Sequence, residues 1–298
     1  MLSIDPKEVK TNVLHAYLLG AVAPRPIAFA STVDKNGNPN LSPFSFFNVF
    51  SAKPPIVIFS PARSGRTGAT KNTFDNVKEV AEVVINMVNY DLVQQASLSS
   101  IEYAKGINEF VKAGLTPVPS TIVKPFRVKE SPAQLECKVK QIIELGHEGG
   151  AGNLIICEVV MIHVSEDVLD ANKNIDPQKI DLVARMGANY YCRASGDAVF
   201  EVQKPIGMMG IGVDQIPQNI RLSKVLSGNN LGQLGNVENL PSAEEINAYK
   251  NTELKDIFSK NMPQNALLEQ DLHKKAKEFL DKGLVQEAWK TLLSFSSK

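Results

Sequence analysis

Between Ser60 and Thr73 the chain reads SPARSGRTGATKNT, just ahead of a stretch with helical character. Arg63, Arg66 and Lys71 bring positive charge. Gly65 and Gly68 relax the backbone so that amide N–H groups can converge, and Ser60, Thr70 and Thr73 add hydroxyl donors. A helix N-terminus has amides without intrahelical acceptors and the positive end of the helix dipole, so this set of groups suits a phosphate. The same residues also suit a solvated basic loop capped by Thr70, and their types leave both readings open. Two nucleotide motifs are excluded. A Walker loop needs G-x-x-x-x-G-K-[ST], whereas here Gly68 stands three residues before Lys71 and Asn72 follows it; Gly207–Gly212 reads GMMGIG, which reverses the G-x-G-x-x-G order.

A second cluster lies upstream. Arg25–Thr32 (RPIAFAST) is followed across a turn by Ser42–Asn48 (SPFSFFN), where small polar and aromatic side chains mix. A flat, hydrogen-bonding ring needs backbone donors and acceptors beside apolar walls, and two such strands offer both. Phe44, Phe46, Phe47 and Phe50 read equally well as ordinary core. Farther along, His163 stands at a strand end and Arg185 lies in the run LVARMGANYY. Each has a structural reading beside a ligand-binding one: a lone histidine fixing a strand end, an arginine paired with an acidic neighbour. His15 and His147 belong to no motif.

The elements that must position these groups are mostly strands. Residues 26–33 and 55–60 are short, apolar and rich in strand formers, with a concentrated turn signal, DKNGNP, at 34–39. Residues 40–50, 80–88, 134–145 and 154–164 are further strand candidates, the last two joined by the turn-rich GHEGGAGN. Many strands at short spacing with few helices between them predict an antiparallel barrel rather than a doubly wound sheet. Helices are predicted at 71–78, within 90–103, and through most of the chain after Pro205. There Ser242 and Glu245 make a capping box, and 274–279 and 284–295 place apolar residues three and four apart. The expected division is a domain of 1–204 and a mostly helical extension of 205–298.

At 298 residues the chain can bury a substantial core. It has 32 basic and 32 acidic residues, which gives no electrostatic reason to expect nucleic acid or an anionic membrane as partner. Cys137, Cys157 and Cys192 show neither C-x-x-C spacing nor histidines at metal-ligand intervals, so no metal site is expected and a reducing compartment is. No leader-like segment and no membrane-length apolar run is present in the sequence, and the expected location is the cytoplasm.

The segment PRPIAFASTVDKNGNPNLSPFSFFNVFSAKPPIVIFSPAR (24–63), followed by TKNTFDNV (70–77), resembles the flavin reductase-like family, whose members include flavoredoxins and the reductase components of two-component monooxygenases. The likeness is dense through 24–90 and looser to about 200. Residues 210–241 resemble the C-terminal extension of one branch of the family. The resemblance implies an FMN-binding split β-barrel of Greek-key type, mainly β with helical additions, and a helical C-terminal extension. It implies that Ser31 and Thr32 flank the flavin, and that Ser45, Phe46, Phe47 and Asn48 border the ring and ribityl chain. Ser60, Ala62 and Arg63 would approach the phosphate, with Lys71, Asn72 and Thr73 closing round it; relatives often carry histidine where Asn72 stands. His163 and Arg185 match positions near the flavin or an incoming nicotinamide. The implied activity is NAD(P)H-dependent reduction of FMN, with electrons passed to an acceptor and no protein acid, nucleophile or metal assigned. The alternatives are a flavoredoxin-like carrier fed by a protein donor and a non-redox split-barrel binding module. A homodimer, and a redox partner protein, are the implied associations.

Overall fold

The computed structural model describes residues 1–261 and 265–295, and the chain divides into two compact units, Met1–Phe200 and Glu201–Lys298. In the first unit, helix α1 (Thr11–Ala21) precedes strands β1 (Ala28–Val33), β2 (Pro39–Phe44), β3 (Phe47–Ala52) and β4 (Pro55–Phe59). Helix α2 (Asn72–Glu79), strand β5 (Glu82–Asn86), and helices α3 (Val93–Leu98) and α4 (Glu109–Ala113) follow. Two short strands, β6 (Pro117–Val118) and β7 (Arg127–Val128), lead to the long pair β8 (Ala133–Glu144) and β9 (Asn153–Val164), and β10 (Val183–Arg185) and β11 (Tyr191–Arg193) complete the unit.

Seven strands form one antiparallel sheet in the order β2-β1-β5-β8-β9-β4-β3. The two edge strands, β2 and β3, are consecutive in sequence, so the chain passes from one edge of the sheet to the other at Ser45–Phe46 and curls it into the split barrel. This is why residues 40–50, expected as one strand, are two strands with a bend between them. The Phe46 carbonyl accepts from the Ser60 amide at 2.9 Å, tying that corner to the end of β4. The turn before β2 is set by Asp34, whose carboxylate accepts from the amides of Asn36 and Asn38, both at 2.9 Å, while Gly37 takes a φ of +84° that favours glycine.

All six residues of β1 are buried because both faces of this strand are covered. Phe29 joins Ile27, Leu41, Leu92 and Phe110 on one side. Ala28 and Ala30 face the barrel interior with Val57, Phe59, Ile85, Cys137, Ile155 and Cys157, where Phe74 and Val77 of α2 also pack. Burying an aromatic or large aliphatic side chain of this kind contributes about 1.5–3 kcal/mol. Among the buried polar residues, Asn86 is fully buried and satisfied: its amide donates to the Phe29 carbonyl at 2.9 Å and its oxygen accepts from the Val128 amide at 2.9 Å. The helix expected within 90–103 is confined to the six residues of α3. Helix α1, absent from the sequence reading, buries none of its side chains and so leaves no one-sided apolar pattern.

The second unit is helical: α5 (Gln218–Arg221), α6 (Gly228–Gly235), α7 (Ala243–Thr252), α8 (Lys255–Asn261), α9 (Asn265–Leu280) and α10 (Val285–Leu293). The Ser242/Glu245 capping box at the start of α7 is formed, and a second joins Ser227 and Asn230 before α6. The core is organised on Trp289, which is fully buried with Ile220, Leu234 and Leu280 and donates from Nε1 to the Leu234 carbonyl at 3.1 Å. His273, also buried, holds Ser223 Oγ at 2.7 Å through Nδ1. Among the described residues no helix is long and apolar enough to cross a membrane, and no group of three or more His, Cys, Asp and Glu residues is placed to hold a metal ion.

Candidate functional site

Strand β4 ends at Phe59, and residues 60–71 turn the chain into α2. The residue before the helix, Lys71, has extended backbone angles, and its side chain caps none of the first-turn amides. The first intrahelical bond runs from Phe74 N–H to the Lys71 carbonyl at 2.8 Å, so the earlier amides have no intrahelical acceptor. Thr70 does not cap them either: its hydroxyl donates to Asp75 Oδ1 at 2.9 Å.

Beneath this helix start lies a buried polar network. Asn40 of β2 donates from Nδ2 to Thr73 Oγ1 at 2.8 Å, and Asn76 of α2 donates to Thr32 Oγ1 of β1 at 3.1 Å. All four side chains are buried. Alternation along β2 puts Asn40 and Ser42 on the face that meets α2 and Leu41 on the opposite one, in the core with Phe29.

A cleft of about 150 Å³ opens over this arrangement. The loop and helix start contribute Ser64, Thr67, Ala69, Thr70, Lys71, Asn72 and Thr73, and β2 contributes Asn40 and Ser42. The far wall comes from Ser99–Tyr103 and from Glu109 at the start of α4. Two carboxylates thus stand among the hydroxyls, amides and one lysine. Glu102 is ion-paired with Lys71 and receives a second contact from Arg66 at 3.2 Å; hydrogen bonding and charge from Lys71, then Arg66, hold its carboxyl below the usual range. Glu109 is buried and accepts from the Leu41 amide at 3.0 Å, yet burial outweighs that bond and pushes its carboxyl up.

Of the residues singled out from sequence, Ser42, Thr70, Lys71, Asn72 and Thr73 line the cleft. Thr32 supports it from below through Asn76, while Ser31, on the other face of β1, is buried with its hydroxyl unpartnered among the described residues. The other positions are spent elsewhere. Ser60 Oγ accepts from the Asn153 amide at 2.9 Å. Ala62 lies in the loop outside the cleft lining, and the Arg63 guanidinium bonds Glu144 of β8 at 2.8 Å and the Gly68 carbonyl at 3.3 Å, bracing the loop from behind. Ser45 and Phe46 form the bend after β2, and Phe47 and Asn48 begin β3. His163 Nε2 sits 2.7 Å from Glu136. That carboxylate is fully buried; burial raises its pKa, but the amides of Thr121 and Ile122, His163 and the Val123 amide together bring it below the usual range. Arg185 bonds the Tyr191 hydroxyl and the Ala188 carbonyl, both at 2.9 Å, and lies over the Tyr191 ring. Neither His163 nor Arg185 lines the cleft.

Asn40, Glu102 and Glu109 escaped the sequence reading. For Asn40 the signal was available, since with Ser42 it alternates with Leu41 in a strand that leads into the aromatic run. Glu102 and Glu109 carry no local signal, because only the tertiary fold brings their segments against the loop.

The family model of the flavin reductase like domain matches residues 20–182, more than half of the chain. The chain belongs to this family. An uncharacterised protein of Aquifex aeolicus is 36% identical over 197 residues, covering 66% of this chain and 97% of its own length. Nitrilotriacetate monooxygenase component B from Bacillus cereus is 30% identical with a TM-score of 0.63, covering 68% of this chain and 98% of that protein. Flavoredoxin of Desulfovibrio vulgaris has a TM-score of 0.53 at 22% identity over 68% of this chain and 96% of its own, a likeness of fold. Membership of the flavin reductase-like family supports a flavin-related redox function. The matched span ends before Glu201, so the helical unit lies outside it.

A flavin bearing a phosphate fits the donor set of the cleft. The helix start has uncapped amides and a lysine, and the Thr73 hydroxyl is buried and donates to nothing among the described residues. Lys71, the cation of this donor set, is ion-paired with Glu102.

Proposed function

We propose that this chain binds FMN in the cleft at the start of α2 and catalyses NAD(P)H-dependent reduction of the flavin, for onward electron transfer to an acceptor. The observation that carries the reading is the uncapped N-terminus of α2, with Lys71, Asn72 and Thr73 brought against Asn40 and Ser42 of β2. Lys71 and the first-turn amides would hold the phosphate. Ser42 faces the same cleft and would meet the ribityl chain and ring edge. Bound FMN supplies the two-electron chemistry, and the protein's part is to bind it, orient it and restrict water around it.

The same reading takes the chain as a cytoplasmic homodimer. Edge strand β3 exposes Val49 and Phe50, and α1 exposes Tyr17, Leu18 and neighbouring Val22, a set of large apolar side chains that a second copy would cover.

Two measurements test the proposal. Purified protein loaded with FMN and mixed anaerobically with NADH or NADPH is expected to lose the flavin absorbance band; no bleaching with either nucleotide overturns the reductase reading and leaves a carrier fed by a protein donor. Lys71→Ala is expected to weaken FMN binding by about 1–3 kcal/mol through loss of a charge-assisted contact. Unchanged affinity by titration calorimetry would show the phosphate to be elsewhere.

A further inference from the structure

We infer that Asn40 is a positioning residue for the phosphate end of the ligand, acting through the Thr73 hydroxyl. The inference rests on the reading of the cleft as a phosphate-bearing flavin site and specifies how this chain selects for the phosphate.

The argument starts from the hydrogen-bonding capacity of a hydroxyl, which has one proton to give and two lone pairs to receive with. Asn40 presents its amide nitrogen to Thr73 Oγ1 at 2.8 Å, which makes Thr73 an acceptor toward the barrel. Its own proton is then left to point away from Asn40. No group among the described residues accepts that proton, although Thr73 is 1% exposed. A buried donor left unspent costs stability unless something accepts from it. Thr73 is the second residue of α2 and lines the cleft, so an anion seated on the helix N-terminus is the acceptor within its reach.

The rest of the network explains why Asn40 keeps this orientation. Its nitrogen is also within 3.5 Å of Thr32 Oγ1, which already accepts from Asn76 at 3.1 Å. Asn40 is carried on a strand paired along its length with β1, and Thr73 on a helix that buries Phe74 and Val77 in the barrel core. The donor and the acceptor are therefore held by different rigid elements. Asn86, buried in the barrel but bonded to the Phe29 carbonyl and the Val128 amide and so outside this network, serves as an internal control for simple loss of packing.

The test compares FMN with riboflavin, which lacks the phosphate, and reads the ratio of the two dissociation constants. Asn40→Ala is expected to lower the preference for FMN about fivefold, the size of one neutral hydrogen bond, and Thr73→Val more than about tenfold, the size of one bond to a charged phosphate, with riboflavin affinity unchanged in both. The double variant should lose no more than Thr73→Val alone, because Asn40 works through that hydroxyl. Thr73→Ser, which keeps the hydroxyl, should retain the preference. Asn86→Ala should lower thermal stability without moving the ratio. If Asn40→Ala does not fold, Asn40→Asp serves: it is of the same size but accepts, drawing the Thr73 proton to itself, and is expected to reduce the preference in the Thr73 background and less so in the Thr73→Val background. A preference that survives in the Asn40 variants, falls equally in Asn86→Ala, or falls further in the double variant overturns the inference. A wild-type protein that does not distinguish FMN from riboflavin overturns the phosphate assignment, and this inference with it.

Discussion

Lys71 is the cation best placed for an anion at α2, and the fold has already given it a carboxylate. The partners are partly exposed, the Glu102 side chain at 49% and that of Lys71 at 31%, and pairs of this kind are worth about 0.2–1 kcal/mol. Glu102 therefore competes with an incoming phosphate without blocking it. Glu102→Gln should tighten FMN binding by about 1.5- to 5-fold and leave riboflavin untouched, measured by quenching of flavin fluorescence. Equal affinity in the variant would mean that the phosphate does not displace Glu102. The residue scale also shows what a local pattern leaves unseen. Arg63 has the charge expected of a phosphate ligand, but its acceptor is Glu144, 81 positions away and invisible to any local pattern. That Lys71, Asn72 and Thr73 come together at the cleft was legible, because the helix start that places them there is announced by the local sequence itself.

Among the elements, strands were read more easily than the places where the chain changes direction. The apolar runs that became β1, β4, β5, β8 and β9 were visible because both faces, or every second residue, had to be buried. The bend at Ser45–Phe46 was not, since it follows from closing the sheet and not from any turn signal. In the helical unit the capping box before α7 was legible for the opposite reason: its two partners are three residues apart. His273 of α9 gives this unit an expected pH response. Burial lowers its pKa in the folded state, so the unfolded chain binds the proton more readily. The stabilisation is complete above the unfolded value of about 6.5 and declines as the pH falls through it toward the lower folded value. The melting temperature of the helical unit should fall between pH 7.5 and 5.5, and His273→Gln should flatten that dependence; identical slopes would remove His273 as the cause.

At the scale of the whole molecule, each unit has its own core and the candidate site lies wholly within the first. The family likeness made the barrel legible from residues 24–90, whereas the helical unit was readable only as a run of amphipathic segments. Trp289→Ala is expected to cost the second unit about 3–5 kcal/mol through the cavity it leaves and the lost bond to Leu234. FMN binding by the same variant should be unchanged. Loss of FMN affinity in parallel with the lost stability would show that the two units do not act independently. Trp289 is the one tryptophan in the chain, and it is fully buried in the helical unit. Indole emission therefore reports the melting of that unit alone, while the visible colour of a bound flavin would report the barrel: two wavelengths, one for each half, with no label attached.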